Sequence, residues 1–350
     1  MSPIVLALGL LAVQPAPADT LAPNPGALPA ARVSFDEKLR EIVIELPGIP
    51  LPAHTGHHGG GGGYPPVVQA TMPLDVSLYG FRVEVVDPDG KVLPAELIHH
   101  FNLIDPNSRE LFLPISRRLL AAGKETGEQK LPRLFFGVPL KQGDLVVASA
   151  MLHNPTDVDY AEARVRLVLS YVPADKWYPV FDGHTWHLDV GFPVGDKSFT
   201  LPPGESSRSY EAKPSIPGKI VAVGGHMHEM GTRIELSEVE SGKVLWSASP
   251  VLDPEKNVVG IPVGKLYGWF KVGVPIRTDR HYRVTVYYNN TTGGPVGAGG
   301  MGVIGGLFVP EKGAKWPEAV KADPLYIADA FHYLRVKRDS VPESHSGHKH

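Results

Sequence analysis

The chain has 350 residues, 43% hydrophobic and 20% charged, a length suited to two domains of ordinary size and a composition able to form packed cores. With 34 Lys and Arg against 37 Asp and Glu the formal net charge is -3, which argues against a nucleic-acid footprint and against a polybasic membrane surface. No cysteine is present, so disulfides, thiolate metal sites and cysteine nucleophiles are excluded, and any soft metal ligand has to be methionine.

Residues 1–18 carry the apolar run IVLALGLLAV and then Ala16 and Ala18 at cleavage spacing, which reads as a secretory signal. The run is too short to span a bilayer, and no other stretch approaches a transmembrane span. The mature chain is therefore expected to be secreted or periplasmic. Residues 19–30 form a Pro/Ala linker. Strand signals follow: Arg40–Leu46, Gly80–Val86 running into the turn Asp87-Pro88-Asp89-Gly90, 145–152, Ala163–Leu169, 219–224, 232–239, 243–247, 266–274 and 282–288. Only two segments read as helix, Ser116–Ala122 and Asp323–Leu334, the second with Asp at the N-cap and Pro in the first turn. The 38 glycines and 35 prolines exceed the usual share of about 12% and suit a turn-rich all-β chain. The pattern predicts an all-β fold of antiparallel sandwiches or jelly rolls, divided near 173–180 into units 31–175 and 176–335, with a His-rich tail at 336–350. Two low-complexity segments, His54–Gly63 and the tail with His345, His348 and His350, have metal-binding composition.

Four short segments carry candidate chemistry. In Gly225-His226-Met227-His228, strand geometry turns both imidazoles to one face and Met227 to the other. His99-His100 are neighbours, which can act together only where the backbone twists or bulges. Met151 and His153 share one face of a strand that ends at Asn154-Pro155. Met301 lies in the glycine-rich run Gly293–Gly306; as a ligand its thioether would favour Cu(I), and otherwise it fills core.

In this order, LIHHFNL at 97–103, LHNPT at 152–156, HMHEMG at 226–231, VTVYYNNTT at 284–292 and GGMGVIGGLFVP at 299–310, the segments resemble the type II, ascorbate-dependent copper monooxygenases, the family of peptidylglycine α-hydroxylating monooxygenase and dopamine β-hydroxylase. The resemblance spans roughly residues 35–310. It implies two tandem antiparallel β-sandwich, jelly-roll-like domains with a copper site in each: an electron-transfer copper on His99, His100 and either His153 or Met151, and an oxygen-activating copper on His226, His228 and Met301, with Leu307 as the alternative to Met301. It further implies two coppers per chain, ascorbate as electron donor, and O2-dependent hydroxylation of a C–H bond in a small organic or peptide substrate. The family's disulfides cannot form here. Gly224 stands where the peptidylglycine enzyme has an arginine that helps bind the substrate carboxylate, so a peptidylglycine substrate is not expected. Two other readings fit the residues: a non-catalytic copper-handling protein of the cell envelope, and a β-sandwich binding module for sugars or protein partners in which the histidines are incidental.

Overall fold

Alternation of buried and half-exposed side chains sets the strands. Glu41–Glu45 buries Ile42 and Ile44 and leaves Glu41, Val43 and Glu45 toward solvent, as expected of a strand with one wet face. Tyr160–Pro173 does the same with Val165, Leu167 and Leu169 against Arg164 and Arg166. The computed structural model describes residues 23–55, 63–124, 126–191, 195, 197–268 and 271–335. The expected signal segment, His57, His58 and the His-rich tail lie outside the described residues.

The fold is all-β, with one α-helix, Pro324–Tyr333, among the described residues. Strands from the first half of the chain, joined at one edge by Phe181–Asp182 from the second, build two sheets. One runs in the order Arg32–Asp36, Glu41–Glu45, Tyr160–Pro173, Val76–Val86, Phe136–Leu140, Phe181–Asp182. The other, curled and jelly-roll-like, runs Val68–Thr71, Leu145–Leu152, Ile98–Arg109, Ser116–Ala122. Strands from the second half build separate sheets. In one, His184–Asp189 and Gly218–Met227 flank Gly302–Pro310; in another, Gly204–Ala212 and Gly231–Glu238 flank Tyr282–Asn290. No helix among the described residues is long and apolar enough to cross a membrane.

The halves share a turn device that sequence inspection missed. Asn154 donates its side-chain amide to the carbonyls of Leu51 and Val158, and its Oδ1 accepts from the N–H (3.0 Å) and hydroxyl (2.7 Å) of Thr156. Asn290 donates to Leu201, Pro202 and Gly294, and its Oδ1 accepts from the N–H (3.0 Å) and hydroxyl (2.7 Å) of Thr292. Both asparagines are buried at a strand end, where they satisfy loop carbonyls that water cannot reach.

Ser116–Ala122 is a strand, not the helix its sequence suggested. It pairs antiparallel with Ile98–Arg109, from Phe101 opposite Ala122 to Arg109 opposite Ser116. Tertiary pairing overrides local propensity here because the strand gives each of two adjacent arginines its own acid. Arg117 and Arg118 point to opposite faces, the first to Asp105 (2.9 Å), the second to Asp329 on the helix, with two contacts of 2.6 Å. The expected strand 266–274 is instead the short pair Tyr267–Gly268 and Lys271–Val272, followed by Val274–Ile276 after Gly273 at φ +72°. The helix forms as read: Asp323 Oδ1 accepts from Leu325 N–H (2.8 Å), and Pro324 occupies the first turn.

The two halves interlock. Leu111, Phe112, Leu113 and Ile115 from the first half sit in the core of the second, while Val221 and Leu307 from the second sit in the core of the first. Polar groups seal the joint. Arg117 donates to His184 Nδ1 (2.7 Å) as well as to Asp105. Glu110, fully buried, accepts from Arg118 N–H (2.6 Å) and His187 N–H (3.3 Å) and lies 2.9 Å from His187 Nδ1.

Candidate functional site

The five histidines singled out in the sequence meet at this joint. In the pairing of Ile98–Arg109 with Leu145–Leu152, His100 faces Met151 and Ile98 faces Leu152, so His99 is the extra residue of a β-bulge. The bulge cancels the usual alternation, and the His99 and His100 rings lie 3.9 Å apart at 45°. His153, buried just past the end of the neighbouring strand, brings its ring to 5.7 Å from His99; Met151 is placed as the register partner of His100. From the second half, His226 and His228 flank Met227, which is buried in the core, and their rings are 5.6 Å apart at 86°. His100 and His226 close the gap between the halves at 6.1 Å.

Tyr288 fixes the second-half end of this chain of rings. Its buried hydroxyl accepts from the N–H groups of Met301 (2.9 Å) and His228 (3.3 Å) and donates to the Met301 carbonyl. Burial pushes the phenol up to about 12, so it stays protonated and able to donate. Met301 is thereby tied to the His228 backbone. Leu307 is instead core, opposite Ala222, and has no part in the cluster. Tyr288→Phe removes the group that all three contacts share. It is expected to destabilise the chain by about 1–3 kcal/mol through stranded backbone groups, with faster amide exchange at His228 and Met301. Unchanged exchange at both would show that the hydroxyl does not hold them.

The arrangement overturns the metal reading. Among the described residues no group of three or more His, Asp or Glu side chains is placed to hold a metal ion. The rings meet edge to face or tilted against one another, and sequence spacing cannot specify whether ring nitrogens converge on one point. Copper at His99, His100 and His153 or Met151, and at His226, His228 and Met301, is therefore withdrawn. With it go the ascorbate-dependent monooxygenase assignment, hydroxylation with O2, the copper-handling alternative and the copper-bearing character of the two expected sandwiches. His54, the described histidine of the His54–Gly63 segment, is exposed with its Nε2 3.0 Å from Asp157 Oδ1.

A search of family models finds none that matches the sequence, and no curated protein matches it. Among solved structures, the chain is similar to the major capsid protein P2 of bacteriophage PM2, with 10% identity over 78% of this chain and 100% of that one, TM-score 0.36. It is similar to PNGase F, a glycosylasparaginase from Flavobacterium meningosepticum, with 9% identity over 77% and 96%, TM-score 0.37. It is also similar to VP2 of infectious bursal disease virus, with 12% identity over 83% and 75%, TM-score 0.25. Likenesses this distant leave the chain's own residues as the ground for any reading of function.

A second site, which sequence reasoning missed, lies where the first half passes into the second. Lys38, Leu39, Arg40, Tyr79, Arg133, Tyr171, Val172, Pro173, Lys176 and Tyr178 line a cleft of about 240 Å³. Four of these side chains are cationic and none is acidic. Lys176 pairs with Asp175 (3.0 Å), but Lys38, Arg40 and Arg133 form no ion pair among the described residues. Local structure presents them. Asp36 Oδ1 accepts from the N–H groups of Lys38 and Leu39, forming the turn that delivers Arg40 at φ +58°. Leu131 N–H bonds to the Tyr79 carbonyl (2.6 Å), bringing the 131–135 segment and Arg133 alongside. An adjoining cleft of about 560 Å³ shares Arg40, Tyr171 and Pro173 and carries Glu37, Asp75 and Asp175. The cationic part was illegible in the sequence because its four charges come from three separated segments. The single available signal was the Lys176-Trp177-Tyr178 triplet near the expected domain boundary.

Proposed function

We propose that this chain is a binding module whose recognition cleft is the cationic, tyrosine-lined pocket, and that it takes an organic anion. The observation that carries this reading is the charge imbalance of the pocket: Lys38, Arg40, Arg133 and Lys176 face a concave surface that no carboxylate lines. Cations held together repel one another, and an anion relieves that repulsion while gaining charge-assisted hydrogen bonds. Tyr79 and Tyr178 add hydroxyls and ring faces, the mixture of apolar wall and few polar groups common to ligand sites. Two tandem sandwiches, 31–175 and 176–335, suit the same reading: the interlocked second half braces the scaffold, and the paired Asn154 and Asn290 turns support two related units. The apolar segment at 1–18 suits a module that works outside the cytoplasm.

The test is calorimetric titration with inorganic sulfate at fixed ionic strength. The wild-type chain is expected to bind one sulfate, and Arg133→Gln/Lys176→Gln to bind it at least about tenfold more weakly, the equivalent of losing one charge-assisted contact. Equal binding by the double variant, or none by the wild type, would remove the assignment.

A further inference from the structure

The surroundings of the cleft narrow the ligand class. Trp177, between Lys176 and Tyr178, is 78% exposed, and its ring lies 5.2 Å from that of Tyr178. Phe135, Leu134 and Val180 are also exposed, and their segments are joined: Val180 N–H bonds to the Leu134 carbonyl (3.2 Å) and Phe181 N–H to that of Phe135 (2.8 Å). An indole left this open gains free energy by covering its face with a flat, partly apolar ligand surface, as a sugar ring offers through its C–H groups. The cationic cleft is smaller than the roughly 300–1,000 Å³ of drug-sized pockets, and so suits one ring rather than a chain of rings. Beyond Arg40 and Tyr171 the groove changes sign, to Glu37, Asp75 and Asp175. A uniformly anionic polymer would be repelled there, whereas neutral sugar hydroxyls would find acceptors.

Resting on the anion-binding reading above, we infer that the ligand is an oligosaccharide acidic at one unit. Its carboxylate or sulfate sits among Arg133, Lys176, Lys38 and Arg40, a ring packs on Trp177, and uncharged units continue along the acidic part of the groove. A free inorganic anion and a polysulfated chain share part of this chemistry, and the experiment separates them.

Calorimetric titrations of the full chain would compare four probes: a trisaccharide with one terminal glucuronate, the same trisaccharide with its carboxyl reduced to the alcohol, inorganic sulfate, and a heparin-derived trisaccharide. The acidic trisaccharide is expected to bind at least about tenfold more tightly than its reduced form and than sulfate. Trp177→Ala, at an exposed position where folding should persist and can be checked by thermal melting, is expected to weaken the trisaccharide about tenfold and leave sulfate unchanged. Sulfate binding that depends on Arg133 and Lys176, with no gain from the sugar and no effect of Trp177→Ala, would overturn the saccharide inference while the anion cleft stands. Heparin binding more tightly than the singly acidic probe would overturn the singly acidic ligand. Failure of every probe would overturn both.

Discussion

Arg118→Ala is expected to destabilise the folded chain by about 3–5 kcal/mol, the range for stranding one member of a buried ion pair. Asp329 is only 2% exposed and both its oxygens take 2.6 Å contacts from the Arg118 guanidinium. The same guanidinium donates to the Ser116 carbonyl (2.8 Å) and lies over the Tyr333 ring. Truncation therefore leaves a carboxylate, a carbonyl and a ring face without their partner, beneath the one described α-helix. Equilibrium urea unfolding would measure the loss. The double variant Arg118→Met/Asp329→Leu should recover much of it, because an apolar pair leaves no charge stranded. A single-variant loss below about 1 kcal/mol, typical of exposed pairs, would mean that the helix is not pinned this way.

The second large effect is acid sensitivity at the joint. Burial, and then the Arg117 guanidinium that donates to its Nδ1, pushes His184 down to about 3. The ring stacks on Trp316 at 4.5 Å, and the same Arg117 guanidinium lies over the Trp316 ring and donates to Asp105. In the unfolded chain the same imidazole titrates at the ordinary histidine value of about 6.5. Below that pH the unfolded state binds a proton that the folded state refuses, so stability is intact above about 6.5 and falls as the pH drops toward 3, by up to about 1.4 kcal/mol per unit. Asp189 acts in the opposite sense: burial raises its titration in the fold, so it takes up a proton before its unfolded counterpart and partly offsets the loss. His184→Phe, which keeps a ring against Trp316, should flatten the dependence between pH 6 and 4 by close to one proton, read from urea midpoints across that range. An unaltered slope would show that other groups set the acid response.

The fate of the histidine cluster marks what spacing along a chain can say. The sequence placed His226 and His228 on one face because strand side chains alternate, and they lie so, with Met227 in the core. The resemblance grouped His99 and His100 with His153 or Met151, as ligands of a copper; in the structure the His99 ring lies 3.9 Å from that of His100 and 5.7 Å from that of His153. The sequence could not state how the rings meet. That depends on a bulge at His99 and on Tyr288 holding His228 and Met301, both products of register with strands far away in sequence.

By itself the sequence determined most of the local structure: the strands at 41–45, 145–152, 231–238 and 282–290, whose alternation admits one buried face, and the helix at 324–333, fixed by its own cap and proline. Tertiary structure decided the rest. Ser116–Ala122 became a strand because Asp105 and Asp329 wait on opposite sides of it, and four scattered cations became one cleft because the 36–40 turn, the 131–135 segment and the end of the Tyr160–Pro173 strand fold to the same corner. Backbone periodicity is a property of neighbours and is written locally. Charge convergence, ring orientation and the enclosure of a pocket belong to residues brought together only when the sheets close.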